Sequence, residues 1–99
     1  MRIPKEVFIL GQAYKVIEIP HPVAGGEIVA GYYSHSNLEI VINKSNSKED
    51  KIHTLIHEMG HALFIRSGIT QAGLSRELEE IIVDNFATMI VEQFKLTSL

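Results

Sequence analysis

The hydrophobic period of this chain changes once, near Ser47, and that change limits what the chain can build. Up to Asn43, apolar and polar residues alternate between turn signals, the pattern of half-buried strands. Beyond Ser47, apolar residues recur at three- and four-residue spacing, the pattern of amphipathic helices. Ninety-nine residues leave room for one core. The expected fold is a single α+β domain over residues 1–99. It has a small antiparallel or mixed sheet of three to four strands within 1–43, then two main helices at 47–66 and 75–95.

Glu6–Leu10 and Gln12–Ile19 flank Gly11 and read as a tight hairpin. Pro20–His21–Pro22 ends the second strand, because proline has no N–H to give to a ladder. After Gly25–Gly26, alternation resumes over Glu27–Tyr33, and the polar turn Ser34–Asn37 leads into Leu38–Asn43, written LEIVIN. Short connections predict mostly antiparallel pairing. LEIVIN itself carries two readings: an open edge beside a cleft, where an extended peptide adds as a strand, or an internal strand with both edges occupied.

Ser47, with Asp50 three residues on, resembles a capping box for the first helix, and Ser75 is the N-cap candidate of the second. At about 100° per residue, Ile52, Leu55, Ile56, Met59 and Leu63 gather on one face of the first helix. His57 and His61 stand together on the opposite face, with Glu58 between the two sides. Gly60 costs about 1 kcal/mol relative to alanine in a helix interior, which close approach of a neighbouring backbone would explain. The second helix is apolar around most of its circumference, so it is expected to be central and buried.

Composition narrows the chemistry. Net charge is −3 and the Lys and Arg residues are scattered, so no basic stripe marks a nucleic-acid partner. No apolar run approaches the roughly 18 residues needed to cross a bilayer, and the apolar segment of MRIPKEVFIL is too short for a secretory signal. A soluble, cytoplasmic protein without membrane contact is expected. Cysteine is absent, so a metal must be held by imidazole and carboxylate.

Residues 57–61 read HEMGH. Histidines at i and i+4 stand one above the other and can converge on one ion. A bare match of this kind also arises by chance at a rate on the order of a few in a thousand chains of this length, so a third ligand matters. Glu80 and Asp84 share a face of the second helix; one can bind the metal while the other accepts the spare N–H of a ligating histidine. Glu79 competes with Glu80, but the residue four after it is Val83, which offers no such partner. His53, one turn before His57, and Tyr32 and Tyr33, at a strand end, are candidate cleft residues, the tyrosines as donors to a developing oxyanion.

His57-Glu58-x-x-His61 followed by Glu80-x-x-x-Asp84 resembles the glutamate zincins, the gluzincin or thermolysin-like clan of metallopeptidases. The short length is similar to the minimal ImmA/IrrE and SprT-like zincins, often carried by phages and mobile elements. The resemblance covers about residues 38 to 95. It implies that His57, His61 and Glu80 bind Zn2+, that Glu58 is the general base and that Asp84 orients a ligand histidine. The implied activity is zinc-dependent hydrolysis of peptide bonds in a polypeptide substrate or a regulatory protein. The metzincin pattern does not fit, because it needs glycine and histidine where this chain has Phe64 and Ser67. Larger members of the clan use a histidine from a further domain after the ligand helix; in this chain that help must come from upstream or be absent. Two other readings stand beside the peptidase: a zinc-binding protein-interaction domain of zincin fold that does not cut, and a structural domain in which HEMGH is coincidental.

Overall fold

The computed structural model describes residues 2–96, with the side chains of residues 95 and 96 left aside; residues 1 and 97–99, which the single-domain expectation includes, lie outside the described residues. The chain begins with β1 (Glu6–Ile9) and β2 (Gln12–Ile19), an antiparallel hairpin. Its two turn residues, Leu10 and Gly11, have φ of 49° and 83°, the positive values that a two-residue type I′ turn requires at both centres. A small hairpin of β3 (Val23–Ala24) and β4 (Glu27–Ile28) turns on Gly25–Gly26. Then come β5 (Gly31–Ser34), β6 (Glu39–Asn43), α1 (Lys48–Arg66) and α2 (Arg76–Leu96). The result is an α+β domain, a mixed four-stranded sheet of order β1-β2-β6-β5 followed by two helices. Neither helix is long and apolar enough to cross a membrane.

Pairing is mostly antiparallel, as expected, with one parallel pair at the centre of the sheet. Neighbours joined by short turns are antiparallel, β1 with β2 and β5 with β6, but β2 and β6 run parallel from Lys15↔Glu39 to Ile19↔Asn43. The chain between them leaves through the β3–β4 hairpin and returns as β5 on the far side of β6. LEIVIN is therefore internal, with Ile40, Val41 and Ile42 all buried, and the open edge beside the helices is β5. Buried Asn43 closes this crossover. Its side chain accepts from the backbone N–H of His21 and Ser45 and donates to the carbonyl of Val29.

α1 starts where Ser47 Oγ accepts from the Asp50 N–H, and α2 where Ser75 Oγ accepts from the Leu78 N–H. α1 lies on the sheet, burying Leu55 and Ala62 against Tyr14, Val16, Ile40 and Ile42. It comes close over β5: a Cβ on Gly31 would stand 2.5 Å from Thr54 Cγ2 and 2.5 Å from the Val41 carbonyl oxygen, so only glycine fits. α2 corrects the expectation of a central, buried helix. It packs on α1 rather than on the sheet, and among its described side chains only the stripe Val83, Ala87 and Val91 is buried, while Leu78, Ile81, Ile82, Phe86 and Met89 are exposed. An apolar circumference buries only as far as the fold supplies neighbours, and here the neighbour is one helix.

Gly60 lies where the two helices meet. A Cβ there would stand 2.9 Å from Val83 Cγ1 and 3.2 Å from Cγ2, so the close neighbour is a side chain rather than the backbone expected from sequence. Valine is stiff at χ1 and cannot swing aside within the helix. Gly60→Ala should therefore lose more by overpacking than the ~1 kcal/mol it gains in helix propensity, for a net destabilisation of about 1–2 kcal/mol. In a double-mutant cycle followed by urea unfolding, Val83→Ala should relieve that cost with a favourable coupling of at least about 1 kcal/mol. Additive effects would show that the two residues do not press on each other.

Candidate metal centre

The crossing at Gly60 and Val83 brings the first turns of α2 alongside the middle of α1, so side chains far apart in sequence meet. His57 Nε2 is 2.8 Å from Glu80 Oε1, His61 Nε2 is 3.0 Å from Glu80 Oε2, and the two Nε2 atoms are 3.1 Å apart. These three residues are the set among the described residues whose ligand atoms converge as a metal site requires. A tetrahedral zinc with bonds of about 2.0–2.1 Å holds its donors roughly 3.3 Å apart, so the spacing fits with a shift of a few tenths of an ångström. Two imidazole nitrogens this close oppose their lone pairs unless a proton or a cation lies between them.

His61 Nδ1 donates to Glu79 Oε2 at 2.6 Å, and the other Glu79 oxygen accepts from Thr70 Oγ1 at 2.9 Å. An ionised carboxylate only accepts, and His61 faces one on each side, Glu79 at Nδ1 and Glu80 at Nε2; a cation at the inner side would leave the proton on Nδ1 and the Nε2 lone pair free to ligate. His57 Nδ1 is 3.4 Å from Asp84 Oδ1, which is placed to accept from that nitrogen in the same arrangement. A cation there would meet two imidazole nitrogens directed at one point, with Glu80 supplying charge and a third donor.

Glu79 is the residue that sequence reasoning passed over, on the ground that Val83 could not assist it. The structure uses it against the ring of His61, with its side chain only 12% exposed. Adjacent carboxylates on a helix point about 100° apart, which was the available clue: one can face the donor cluster while the other meets the flank of an imidazole. Thr70 left no signal in the sequence. It is placed by the turn after α1, where Gly68 takes φ of 85° and the Thr70 N–H donates to the Phe64 carbonyl.

The remaining candidates separate. Tyr32 and Tyr33 line a cleft of about 700 Å³ together with Glu58, Arg76 and the donor residues. The Tyr33 ring lies nearly parallel to that of His61, 12° between planes and 6.3 Å between centroids. Burial, followed by the Glu79 and Glu58 carboxylates, pushes its phenol above the usual range. His53 does not line this cleft: one turn back along α1 it meets α2 instead, with Nε2 3.1 Å from Thr88 Oγ1 and 3.8 Å from Asp84 Oδ1.

Glu58 is the least compensated charge of the cleft. Burial raises its pKa to about 7, His61 pulls it back and Glu80 pushes it up again. A carboxyl near 4.5 in the unfolded chain and near 7 in the folded one binds more protons in the folded state between those values. Its contribution is therefore most favourable below about pH 4.5 and is lost as pH rises through 7, a cost on the order of 3 kcal/mol above that range. After metal is stripped with a chelator, Glu58→Gln should unfold at higher urea than wild type at pH 8, with the gap closing toward pH 4.5. A gap that does not change with pH would rule out a buried, titrating Glu58.

Comparison with known proteins adds one finding. The family described as Peptidase_M78, IrrE N-terminal-like domain, matches residues 14–94, from the second strand of the sheet to the last turns of α2. No curated protein and no solved structure matches the chain. The matched span contains both helices and every residue of the donor cluster, and the family is a zinc-binding peptidase type, in keeping with the His-His-Glu group. The chain belongs to the family of IrrE N-terminal-like domains.

Proposed function

We infer that the chain is a zinc metallopeptidase acting on polypeptides, with His57, His61 and Glu80 as its metal ligands. The observation that carries this reading is the contact of the two Nε2 atoms with each other at 3.1 Å and with the two Glu80 oxygens at 2.8 and 3.0 Å, while Glu79 and Asp84 engage the outer nitrogens of the two rings. Bound there, zinc supplies a Lewis acid that acidifies water and polarises a carbonyl. The protein's own groups do the rest. Glu58, in the cleft beside His61, takes the proton of the attacking water and returns it to the leaving amine; burial that lifts its pKa suits a group that must do both near neutral pH. Glu79, held by Thr70, and Asp84 keep the imidazoles in the tautomer that leaves Nε2 free. The phenols of Tyr32 and Tyr33 are the donors available to an oxyanion in the same cleft. The open edge of β5, rather than LEIVIN, is the strand on which an extended substrate adds.

Elemental analysis on protein purified without chelator or histidine tag tests the ligands. Wild type should carry stoichiometric zinc and Glu80→Ala much less, while Glu79→Ala should weaken zinc binding about 10- to 100-fold. Glu58→Gln should keep its zinc and lose about 10²-fold or more of its turnover on unfolded protein substrates. A wild type without zinc would end the metallopeptidase reading. Zinc without turnover in wild type would leave the non-cutting binding domain in its place.

A further inference from the structure

A second concavity, about 510 Å³, lies between α1, α2 and the β1–β2 turn, and it shares no lining residue with the metal cleft. Its lining contains no polar side chain. Phe8, Leu10, Leu63, Ile82 and Phe86 line it at 39% to 66% exposure. On α2, Leu78 and Met89 extend the line of Ile82 and Phe86, and the four residues make a ridge beside the groove, on the side of the helix away from the buried stripe. Seven large apolar side chains about half exposed present on the order of 700 Å². The largest patch on an ordinary monomer is about 300–600 Å², and each partner of a standard stable interface buries about 800 Å².

Leu10 supplies an independent observation. It occupies the first centre of the hairpin turn with φ of 49°, where asparagine, aspartate or glycine sits without strain and leucine does not. It is also 61% exposed, so burial within the chain does not offset that strain. An apolar side chain there gains most by entering an interface.

We propose that this face is covered by a second copy of the chain, in a two-fold dimer where the α2 ridge of each protomer lies in the groove of the other. The groove lacks charge that would select an acidic or basic partner. Ridge and groove lie side by side, so one two-fold rotation seats both at once, and the area matches what such a dimer needs. α2, held to α1 by one narrow stripe, gains its second apolar neighbour this way.

Sedimentation equilibrium of the intact, zinc-supplemented chain tests this from about 1 to 200 µM. The expected result is a monomer–dimer equilibrium with a dissociation constant of about 10 µM or tighter. Phe86→Glu should weaken the dimer at least about 100-fold, and Leu10→Asn, which suits the turn, at least about 10-fold with an unchanged circular-dichroism spectrum. Ile81→Glu, exposed on α2 but off the ridge, should leave it intact. Should Phe86→Glu fail to fold, Leu10→Asn decides. A wild type that stays monomeric at about 200 µM would overturn the proposal and assign the face to another protein or to lipid. A dimer that survives Leu10→Asn unweakened would overturn it in favour of a different interface.

Discussion

Val83 rests on α1 at the one position of that stretch without a side chain, and the distance this permits between the two helices governs everything the molecule can do. A Cβ on Gly60 would meet Val83 at 2.9 Å, so α2 approaches more closely than any other residue there would allow. His57, one turn before Gly60, and His61, the residue after it, make the donor face of α1, and the carboxylates of α2 reach it only at this spacing. A displacement of even 1 Å would turn charge-assisted contacts of 2.6–3.0 Å into solvent-separated ones. Gly31 serves the same end on the opposite side of α1, letting β5 lie against Thr54 and bringing Tyr32 and Tyr33 to the cleft.

The cleft also shows how a small domain keeps ionisable groups partly buried. His57, His61, Glu79, Glu80 and Asp84 form one connected network, in which each carboxylate answers an imidazole. Buried charge is tolerable only when paired and hydrogen-bonded. Glu58 stands at the margin of this network with its charged form least stabilised, hence its raised pKa.

Much of the site was legible because helices have a fixed pitch. His57 and His61, like Glu80 and Asp84, share faces by their four-residue spacing, and the structure does bring these residues together. Ser47 and Ser75 likewise announced the helix starts through local hydrogen bonding that needs no distant partner. Reasoning failed where the partner lay far along the chain. Glu79 was judged by what its own helix offered, whereas its contacts are His61 on the other helix and Thr70 on the connecting turn. His53 has the spacing of a cleft residue but meets Asp84 and Thr88, one and two turns further along α2 than Glu80. α2 reads as a buried helix by composition, yet the fold covers only one stripe of it.

Local rules acting over a few residues, such as strand alternation, capping serines, the absence of cysteine and the i, i+4 placement of histidine and carboxylate, are written in the sequence itself, and by themselves they determined an α+β chain with helix-borne imidazoles and acids. Tertiary structure alone decided which strand lies inside the sheet, which of two adjacent glutamates faces the donor cluster, and which apolar face is left uncovered. Those outcomes depend on the angle and distance at which elements meet. They follow from close packing at Gly31 and Gly60 rather than from any periodicity along the chain.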